Sequence, residues 1–363
     1  MQDVAIVGAG IVGLSTARAL RDRGVRITIY ERHAPGCGQS AGGTRIFRLN
    51  HADGRLIGLA QRAQRIWRRW EDEYDVSLVG RDGVLVAGRT APARRAGLRQ
   101  AGEDGAWIDT AEQERRLPLL RPFAGRVLLD AAGGPIRTEQ AIGALAHDLR
   151  DTLRQADVLA LRPVPGPGVE VLTPQGSHRH DAAVLCAGQD TQRLARQFDV
   201  DIPIELSLHL RATFRVRGTP PDRVSCLQDS STEYGERVYG SPYPSREMFG
   251  VGLAGGTGEV AAGDGLERFD ELRTRLSGYV RAALPGLAPE PVADVTCWVT
   301  RLPWGNDGVA AWTTSGMTVI AGNNLFKLAP ALGELLAETV CAGEVPEILR
   351  PETELGRDPA LSA

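Results

Sequence analysis

Residues 4–32 read VAIVGAGIVGLSTARALRDRGVRITIYER, and this stretch decides the fold of the chain. Its first four residues are all apolar, which is typical of a strand buried on both faces of a parallel sheet. A glycine-rich turn follows, and then small and apolar residues recur at helical spacing up to a second apolar strand that ends at Glu31. The order strand, turn, helix, strand predicts the first unit of a Rossmann-like domain.

The turn carries the dinucleotide fingerprint GxGxxG at Gly8, Gly10 and Gly13. The first glycine permits the tight turn, the second lets the backbone approach a pyrophosphate, and the third lets helix and sheet pack closely. The helix that begins near Ile11 directs its positive end at the diphosphate, and Glu31 can accept hydrogen bonds from ribose hydroxyls. The fingerprint leaves FAD and NAD open, because both carry an ADP moiety.

Beyond the first unit the hydrophobic period changes twice. Residues 55–73 place apolar side chains, including Trp67 and Trp70, on one helical stripe. Residues 202–258 alternate with period two, which indicates an antiparallel sheet. Other predicted elements are strands at 83–88, 157–161, 169–173, 292–300 and 317–322, helices at 92–101 and 266–284, a helix from Thr138 with Thr138 as its N-cap, and a closing helix near the end.

These elements predict an α/β fold (α+β overall), with a Rossmann-like dinucleotide-binding domain interleaved with an antiparallel-sheet substrate domain. We assign residues 1–80, 135–200 and 296–363 to the nucleotide-binding domain, and residues 81–134 and 201–295 to the substrate domain.

Composition narrows the class of protein further. The 363 residues carry 42 Lys plus Arg against 45 Asp plus Glu, a net charge of −3, which argues against a dedicated nucleic-acid binder. No apolar run approaches the roughly 20 residues that span a bilayer, so we expect a cytoplasmic protein without a membrane partner. The five cysteines form no CxxC pair, and we expect no metal site.

Lys327 is the only lysine in the chain, so every other Lys or Arg cation is an arginine. A general drift toward arginine explains the depletion of lysine but not the one lysine that remains. A lysine offers a compact ammonium with a tunable pKa, which a guanidinium cannot replace. Lys327 is therefore a candidate functional residue. The alternative is that this one lysine has remained by chance and has no specific function.

Several motifs together resemble the D-amino-acid-oxidase-like flavoprotein superfamily, in its branch of monomeric sarcosine oxidase, N-methyltryptophan oxidase and pipecolate oxidase. The motifs are the fingerprint, GTRIFR at 43–48, GGPIRTEQ at 133–140, CAG at 186–188, a cysteine after a late strand, and AGNNLFKLAPALGELLAE at 321–338. The resemblance covers almost the whole chain. It implies bound FAD and oxidation of the C–N bond of a carboxylate-bearing amine, an N-substituted or cyclic amino acid, to an imine by hydride transfer to flavin N5.

The resemblance also implies roles for four side chains. Arg48 looks like the arginine that binds the substrate carboxylate, and Lys327 like its cationic partner; a structural ion pair is the alternative for Arg48. Arg45 resembles the arginine beside the flavin ring, where a cation stabilises the reduced flavin. Cys297 resembles the cysteine that links covalently to the flavin 8α-methyl group in some members, with a free buried cysteine as the alternative.

The predicted catalytic residues are thus Lys327, Arg48 and Arg45. The predicted cofactor-binding residues are Gly8, Gly10, Ile11, Val12, Gly13, Glu31, Arg32, Thr44, Arg45, Ala187, Gly188, Cys297, Gly322, Asn323, Leu325, Phe326 and Lys327.

The chain also departs from the family pattern. Gly250 lies at or near the position of the lysine that promotes reaction with oxygen in the oxidases, and RLPWGND at 301–307 replaces the usual Thr-Pro-Asp sequence. The electron acceptor, oxygen or another, therefore stays open. Three alternative functions also stay open. They are an FAD dehydrogenase acting on a less common nitrogen group such as a hydrazine, an NAD-dependent dehydrogenase, and a non-catalytic nucleotide-binding protein.

Overall fold

The computed structural model describes residues 2–166, 168–261 and 264–357. Its α-helices are α1 (Ile11–Asp22), α2 (Gly54–Tyr74), α3 (Ala91–Gln100), α4 (Thr110–Arg116), α5 (Thr138–Asp148), α6 (Thr191–Ala195), α7 (Leu266–Ala283) and α8 (Ala329–Ala342).

The strands of the first half of the chain are β1 (Asp3–Val7), β2 (Arg26–Glu31), β3 (Arg45–Phe47), β4 (Val84–Gly88), β5 (Gly105–Ile108), β6 (Val127–Asp130), β7 (Gly134–Ile136), β8 (Leu153–Gln155), β9 (Ala160–Pro163), β10 (Val169–Thr173), β11 (Gly176–His180) and β12 (Ala182–Leu185). Those of the second half are β13 (Glu205–Val216), β14 (Cys226–Ser230), β15 (Val238–Pro242), β16 (Met248–Leu253), β17 (Glu259–Val260), β18 (Leu287–Arg301), β19 (Val309–Thr314) and β20 (Met317–Gly322).

A largely parallel sheet forms the base of the molecule, with strand order β19-β20-β12-β1-β2-β8. The central strand β1 runs parallel to both β2 and β12, and β12 runs parallel to β20. Val4, Ala5 and Ile6 are fully buried, as the apolar run predicts. Because the central strands run the same way, their carboxyl ends meet at one edge, where sheets of this kind bind ligands.

Helices α1, α2 and α8 pack on one face of this sheet, and the antiparallel strands β9, β10 and β11 lie with the core on its other face. Gly13, at the start of α1, is required by close packing, since a Cβ there would lie 2.0 Å from the carbonyl oxygen of Gly8. Trp67 and Trp70 on α2 are buried in this core, which confirms the predicted helical stripe.

The second sheet has the order β17-β13-β16-β15-β14-β4-β6-β5, and β18 pairs with β13. Strands β13, β15 and β16 pair antiparallel, which confirms the interpretation of the period-two segment. Leu210, Ala212 and Phe214 point from β13 into an apolar core shared with α7. The mixed α/β architecture predicted for the chain is confirmed.

Three details differ from the prediction. Helix α5 does begin at Thr138, but its N-cap is Arg137; the Thr138 hydroxyl instead donates to the carbonyl of Gly42, which ties the helix to a loop. The strand expected at 157–161 is β9 at Ala160–Pro163, since its pairing with β10 fixes its position. Strand β18 starts at Leu287 rather than at residue 292, and the proposed domain boundary at residue 296 falls inside it. The domain assignment itself stays a prediction.

Candidate active site

A cavity of about 1200 Å³ lies between the two sheets, at the carboxyl ends of β1, β2 and β12. The parallel sheet contributes Val7 and Glu31 to its lining, Ala187 follows β12, and the second sheet contributes Arg211 and Cys297. Pockets for one small ligand are commonly about 300–1,000 Å³. This cavity therefore has room for an extended dinucleotide and a small substrate together.

Most of the predicted site residues line this cavity. They are Gly8, Gly10, Ile11, Val12, Glu31, Arg32, Arg45, Arg48, Ala187, Gly188, Cys297, Gly322, Asn323, Leu325, Phe326 and Lys327. Gly13 and Thr44 lie outside the lining: Gly13 packs against Gly8, and the buried Thr44 hydroxyl donates to Ser241 Oγ over 3.2 Å. Both predicted cofactor contacts are thus placed one layer behind the cavity wall.

The fingerprint loop presents backbone donors and a carboxylate to the cavity. Gly10 is the N-cap of α1, and the first turn of this helix holds no acidic residue. The backbone N–H of Ile11 donates to Ser40 Oγ over 3.0 Å, and Glu31 Oε2 accepts from the N–H of Ala9 over 2.8 Å. A helix N-terminus without a competing carboxylate suits a diphosphate, and Glu31 is held where a ribose would lie.

Arg45 and the buried Arg211 form a pair of cations in the cavity lining. Both approach Gly42 so closely that a Cβ there would lie 2.4 Å from Arg211 Nη2 and 3.1 Å from Arg45 Nη1. Both donate to the carbonyl of Thr44, Arg45 over 3.0 Å and Arg211 over 2.8 Å. Burial, together with the charge of Arg211, lowers the pKa of Arg45 to about 10.

Two of the hydrogen-bond donor atoms of Arg211 are not used within the described part of the protein. Within the described residues, its Nε and Nη2 atoms are buried and have no hydrogen-bond partner, and neither Arg45 nor Arg211 is in a salt bridge. Unpaired buried donors on a cation are costly unless a ligand satisfies them. The pair therefore fits a cofactor that becomes negatively charged, as FAD does on reduction.

Arg48 and Lys327 come together in the cavity lining around the carboxylate of Asp307. Arg48 Nη2 donates to Asp307 Oδ2 over 2.6 Å, and Arg48 Nη1 donates to the carbonyl of Asn50 over 2.8 Å. Lys327 Nζ lies 3.6 Å from Asp307 Oδ1 and donates to the carbonyl of Asn324 over 2.8 Å. The structural ion pair that was the alternative role for Arg48 is therefore present, with Asp307 as the partner. Arg48 and Lys327 nevertheless both line the cavity.

The charges in this cluster act on one another. Burial lowers the pKa of Lys327 to about 8, with Asp307 opposing the change and Arg48 adding to it. Burial alone would raise the pKa of Asp307, but Arg48 and Lys327 hold it well below its usual value. Burial and Arg48 also lower the pKa of His51, whose Nδ1 lies 3.3 Å from Asp307 Oδ2, to about 3. His51 is therefore neutral at pH 7.

Cys297 lies on β18, opposite His209 of β13, and lines the cavity wall that also carries Arg45. Its side chain is partly buried, and it carries no disulfide within the described residues. Cys297 is thus available to a ligand in the cavity.

Sequence reasoning missed Arg211 and Asp307. Arg211 carried a signal, because His209, Arg211 and Thr213 alternate with apolar residues along β13, and a polar face that is fully buried indicates a site. Asp307 carried none. It lies in the loop before β19, and its partner Arg48 is 259 residues away in the chain.

The glycine fingerprint, the parallel sheet and the large cavity beside it define a dinucleotide-dependent protein. The chain belongs to the FAD dependent oxidoreductase family, whose model matches residues 3–339. It is an FAD-dependent oxidoreductase, which resolves the choice between FAD and NAD that the fingerprint left open.

Three known proteins show the likeness over nearly the full chain. Peroxisomal sarcosine oxidase of Mus musculus is 26% identical over 362 residues, covering 93% of this chain and 91% of the relative. Monomeric sarcosine oxidase of Streptomyces avermitilis is 25% identical over 367 residues, covering 94% of each. The structure of NikD, an unusual amino acid oxidase essential for nikkomycin biosynthesis, superposes with a TM-score of 0.81 at 23% identity, covering 99% of this chain and 98% of NikD.

Among the described residues, no helix is both long enough and apolar enough to cross a membrane.

Proposed function

We propose that this protein oxidises the C–N bond of a carboxylate-bearing amine, an N-substituted or cyclic amino acid, to an imine. One observation carries the proposal: Arg48 and Lys327 face the same cavity as the dinucleotide fingerprint. The sarcosine oxidases among the relatives, aligned over more than nine-tenths of the chain, support this substrate class.

FAD would lie along the lining residues of the parallel sheet, with its diphosphate at the N-terminus of α1 and its ribose at Glu31. When bound, it supplies the hydride acceptor, flavin N5. Arg45 and Arg211 would hold the cofactor on its cationic side, where they would favour the negative charge that it gains on reduction. Cys297 is available for a covalent link to the flavin, which we include in the proposal.

The chain itself binds and orients the substrate. Lys327 and Arg48 hold the substrate carboxylate, which fixes the position of the neighbouring carbon and turns a bimolecular encounter into an oriented one. The amine must be neutral to react, because its lone pair forms the imine. Buried cations such as Lys327 disfavour a second positive charge nearby, so they favour the neutral amine.

The electron acceptor is oxygen or another compound. Gly250 on β16 lies at or near the position of the lysine that promotes reaction with oxygen in the oxidases, and it has no side chain. A Cβ there would lie 3.6 Å from Arg211 Nε, so Arg211 places a cation close to this position. Air reoxidation of the reduced holoenzyme, compared with reoxidation by a dye, separates the two acceptor classes.

A cytoplasmic location of the protein is also part of the proposal.

The proposal is tested by anaerobic reduction. Purified protein is expected to show flavin absorption bands that bleach when secondary or cyclic α-amino acids are added without oxygen. Protein with flavin bands that no α-amino acid bleaches would contradict the substrate class.

A further inference from the structure

Asp307 occupies a central place in the candidate substrate site. Its carboxylate lies between Arg48, at 2.6 Å, and Lys327, at 3.6 Å, and each of the two cations touches a different oxygen. The Arg48 and Lys327 side chains are only 8% and 4% exposed, whereas that of Asp307 is 21% exposed. The carboxylate is thus the more open member of the cluster, on the cavity side.

The position of Asp307 is fixed by its surroundings. Asn324 Nδ2 donates to Asp307 Oδ1 over 3.0 Å, and Asn323 Nδ2 donates to the carbonyl of the preceding Asn306 over 3.1 Å. The backbone carbonyl of Asp307 is packed against Gly356, where a Cβ would lie 2.2 Å away. The carboxylate therefore stays in place and orients the two cations.

The cluster keeps a positive charge in spite of Asp307. Two cations and one carboxylate leave one net positive charge, and His51 is neutral at pH 7. The other charged group that acts on Lys327 is Arg94 of α3, a cation that disfavours the ammonium. Without Asp307, Lys327 would keep the neighbouring cations Arg48 and Arg94 and lose the carboxylate that offsets them.

Building on the proposed function, we propose that Asp307 is a positioning residue of the substrate site. It holds Arg48 and Lys327 as one unit and keeps Lys327 charged, so that the lysine can bind the substrate carboxylate. Asp307 itself does not touch the reacting atoms. Its loss acts on the substrate through Lys327.

The single lysine makes a direct test possible. Lysine labelled with ¹³C at Cε gives one side-chain signal in the holoenzyme, since Lys327 is the only lysine in the chain. A pH titration of this signal is expected to show a midpoint near pH 8. In Asp307→Asn, which keeps the size of the side chain, the midpoint should fall by about 1–3 pH units, because an opposite charge has been removed.

The direction of the shift separates positioning from a merely structural role. If Asp307→Asn only loosened the loop, water would reach Lys327 and its midpoint would rise toward about 10.4. An unchanged or raised midpoint in Asp307→Asn overturns the inference. Asp307→Ser gives a second neutral variant with the same expected fall, should the first not fold.

Asp148→Asn is the matched control. Asp148 is also paired with arginines, Arg18 and Arg21, and its side chain is 26% exposed, but it lies outside the cavity lining. This variant should leave the lysine midpoint unchanged, and an equal fall would overturn the inference.

Added acetate distinguishes this inference from the proposed function. Acetate should shift the lysine signal and raise its midpoint in the wild-type protein, since a second carboxylate favours the ammonium. Suppose that acetate changes neither the lysine signal nor its midpoint, while Asp307→Asn still lowers the midpoint. This result would refute the carboxylate-binding site but would still support the role of Asp307 toward Lys327.

Discussion

Arg48 Nη2 and Asp307 Oδ2 lie 2.6 Å apart in a largely buried ion pair that joins the segment after β3 to the loop before β19. An arginine has five donors in a planar fork, so this pair uses only part of its capacity. A structural role for Arg48 and a role in substrate binding are therefore compatible. The two roles predict separate effects, on stability and on binding.

Arg48→Met should destabilise the protein by about 1.5–3 kcal/mol, because the Asp307 carboxylate loses its nearest cation but keeps Lys327 and Asn324 as partners. Since the pair lowers the pKa of Asp307, this stabilisation is present above about pH 4, the value in the unfolded chain, and is lost as the pH falls further. Urea unfolding of the holoenzyme measures it. The double variant Arg48→Met, Asp307→Asn should recover part of the loss, and a single-variant cost under about 1 kcal/mol would show that water solvates the pair.

Lys327→Met should weaken the binding of acetate or of a substrate carboxylate by about 10- to 150-fold, the worth of a hydrogen bond to a charged group. Flavin difference spectra measure the binding. Exposed Arg81, with a side chain that is 79% exposed, provides the control variant Arg81→Met, which should bind normally. Unchanged affinity in Lys327→Met would remove the lysine from the site.

The pKa of Lys327, about 8, gives carboxylate binding a pH dependence. The ammonium is present below this pH and is lost above it, so affinity should be constant toward neutral pH and fall as the pH rises through about 8. Lys327→Arg should abolish this fall, because a guanidinium stays protonated. A fall at the same pH in Lys327→Arg would assign the titration to another group.

Arg211→Met should lower the reduction potential of bound FAD, because a buried cation favours the negative charge of the reduced ring. A loss of 1.4 kcal/mol corresponds to about 30 mV for a two-electron couple, and we expect a change of at least this order. Redox titration with reference dyes measures it. Arg215→Met, at an exposed position near the end of the same strand, is the control, and equal potentials in both variants would refute the role of Arg211.

Cys297→Ser tests the covalent link. Acid precipitation of the wild-type protein should leave the flavin bands in the pellet, while the variant should release flavin to the supernatant. Flavin released by the wild-type protein itself would rule out the link and leave the oxidoreductase assignment untouched.

Much of the fold was predictable because its signals are local. The apolar run before Gly8, the helical stripe that carries Trp67 and the alternation along β13 each follow from the period of one element. The length of β18 was underestimated because its first residues lack alternation, and only pairing with β13 extends it.

The site was predictable only in part, for the same reason. Lys327 stood out by composition, and the fingerprint stood out by spacing. The partner of Arg48 could not be predicted, because Asp307 meets it only through tertiary folding of two distant loops. Arg211 could have been found from the polar face of a buried strand, had both faces of β13 been known to be buried.

The most direct test of the account compares sarcosine with dimethylamine, which lacks the carboxylate, as anaerobic reductants of the bound flavin in the wild-type protein and in Lys327→Met. We expect the wild-type flavin to be reduced much faster by sarcosine than by dimethylamine, and this preference to disappear largely in Lys327→Met. An equally strong preference in both proteins, or none in the wild type, would contradict a carboxylate site at Lys327.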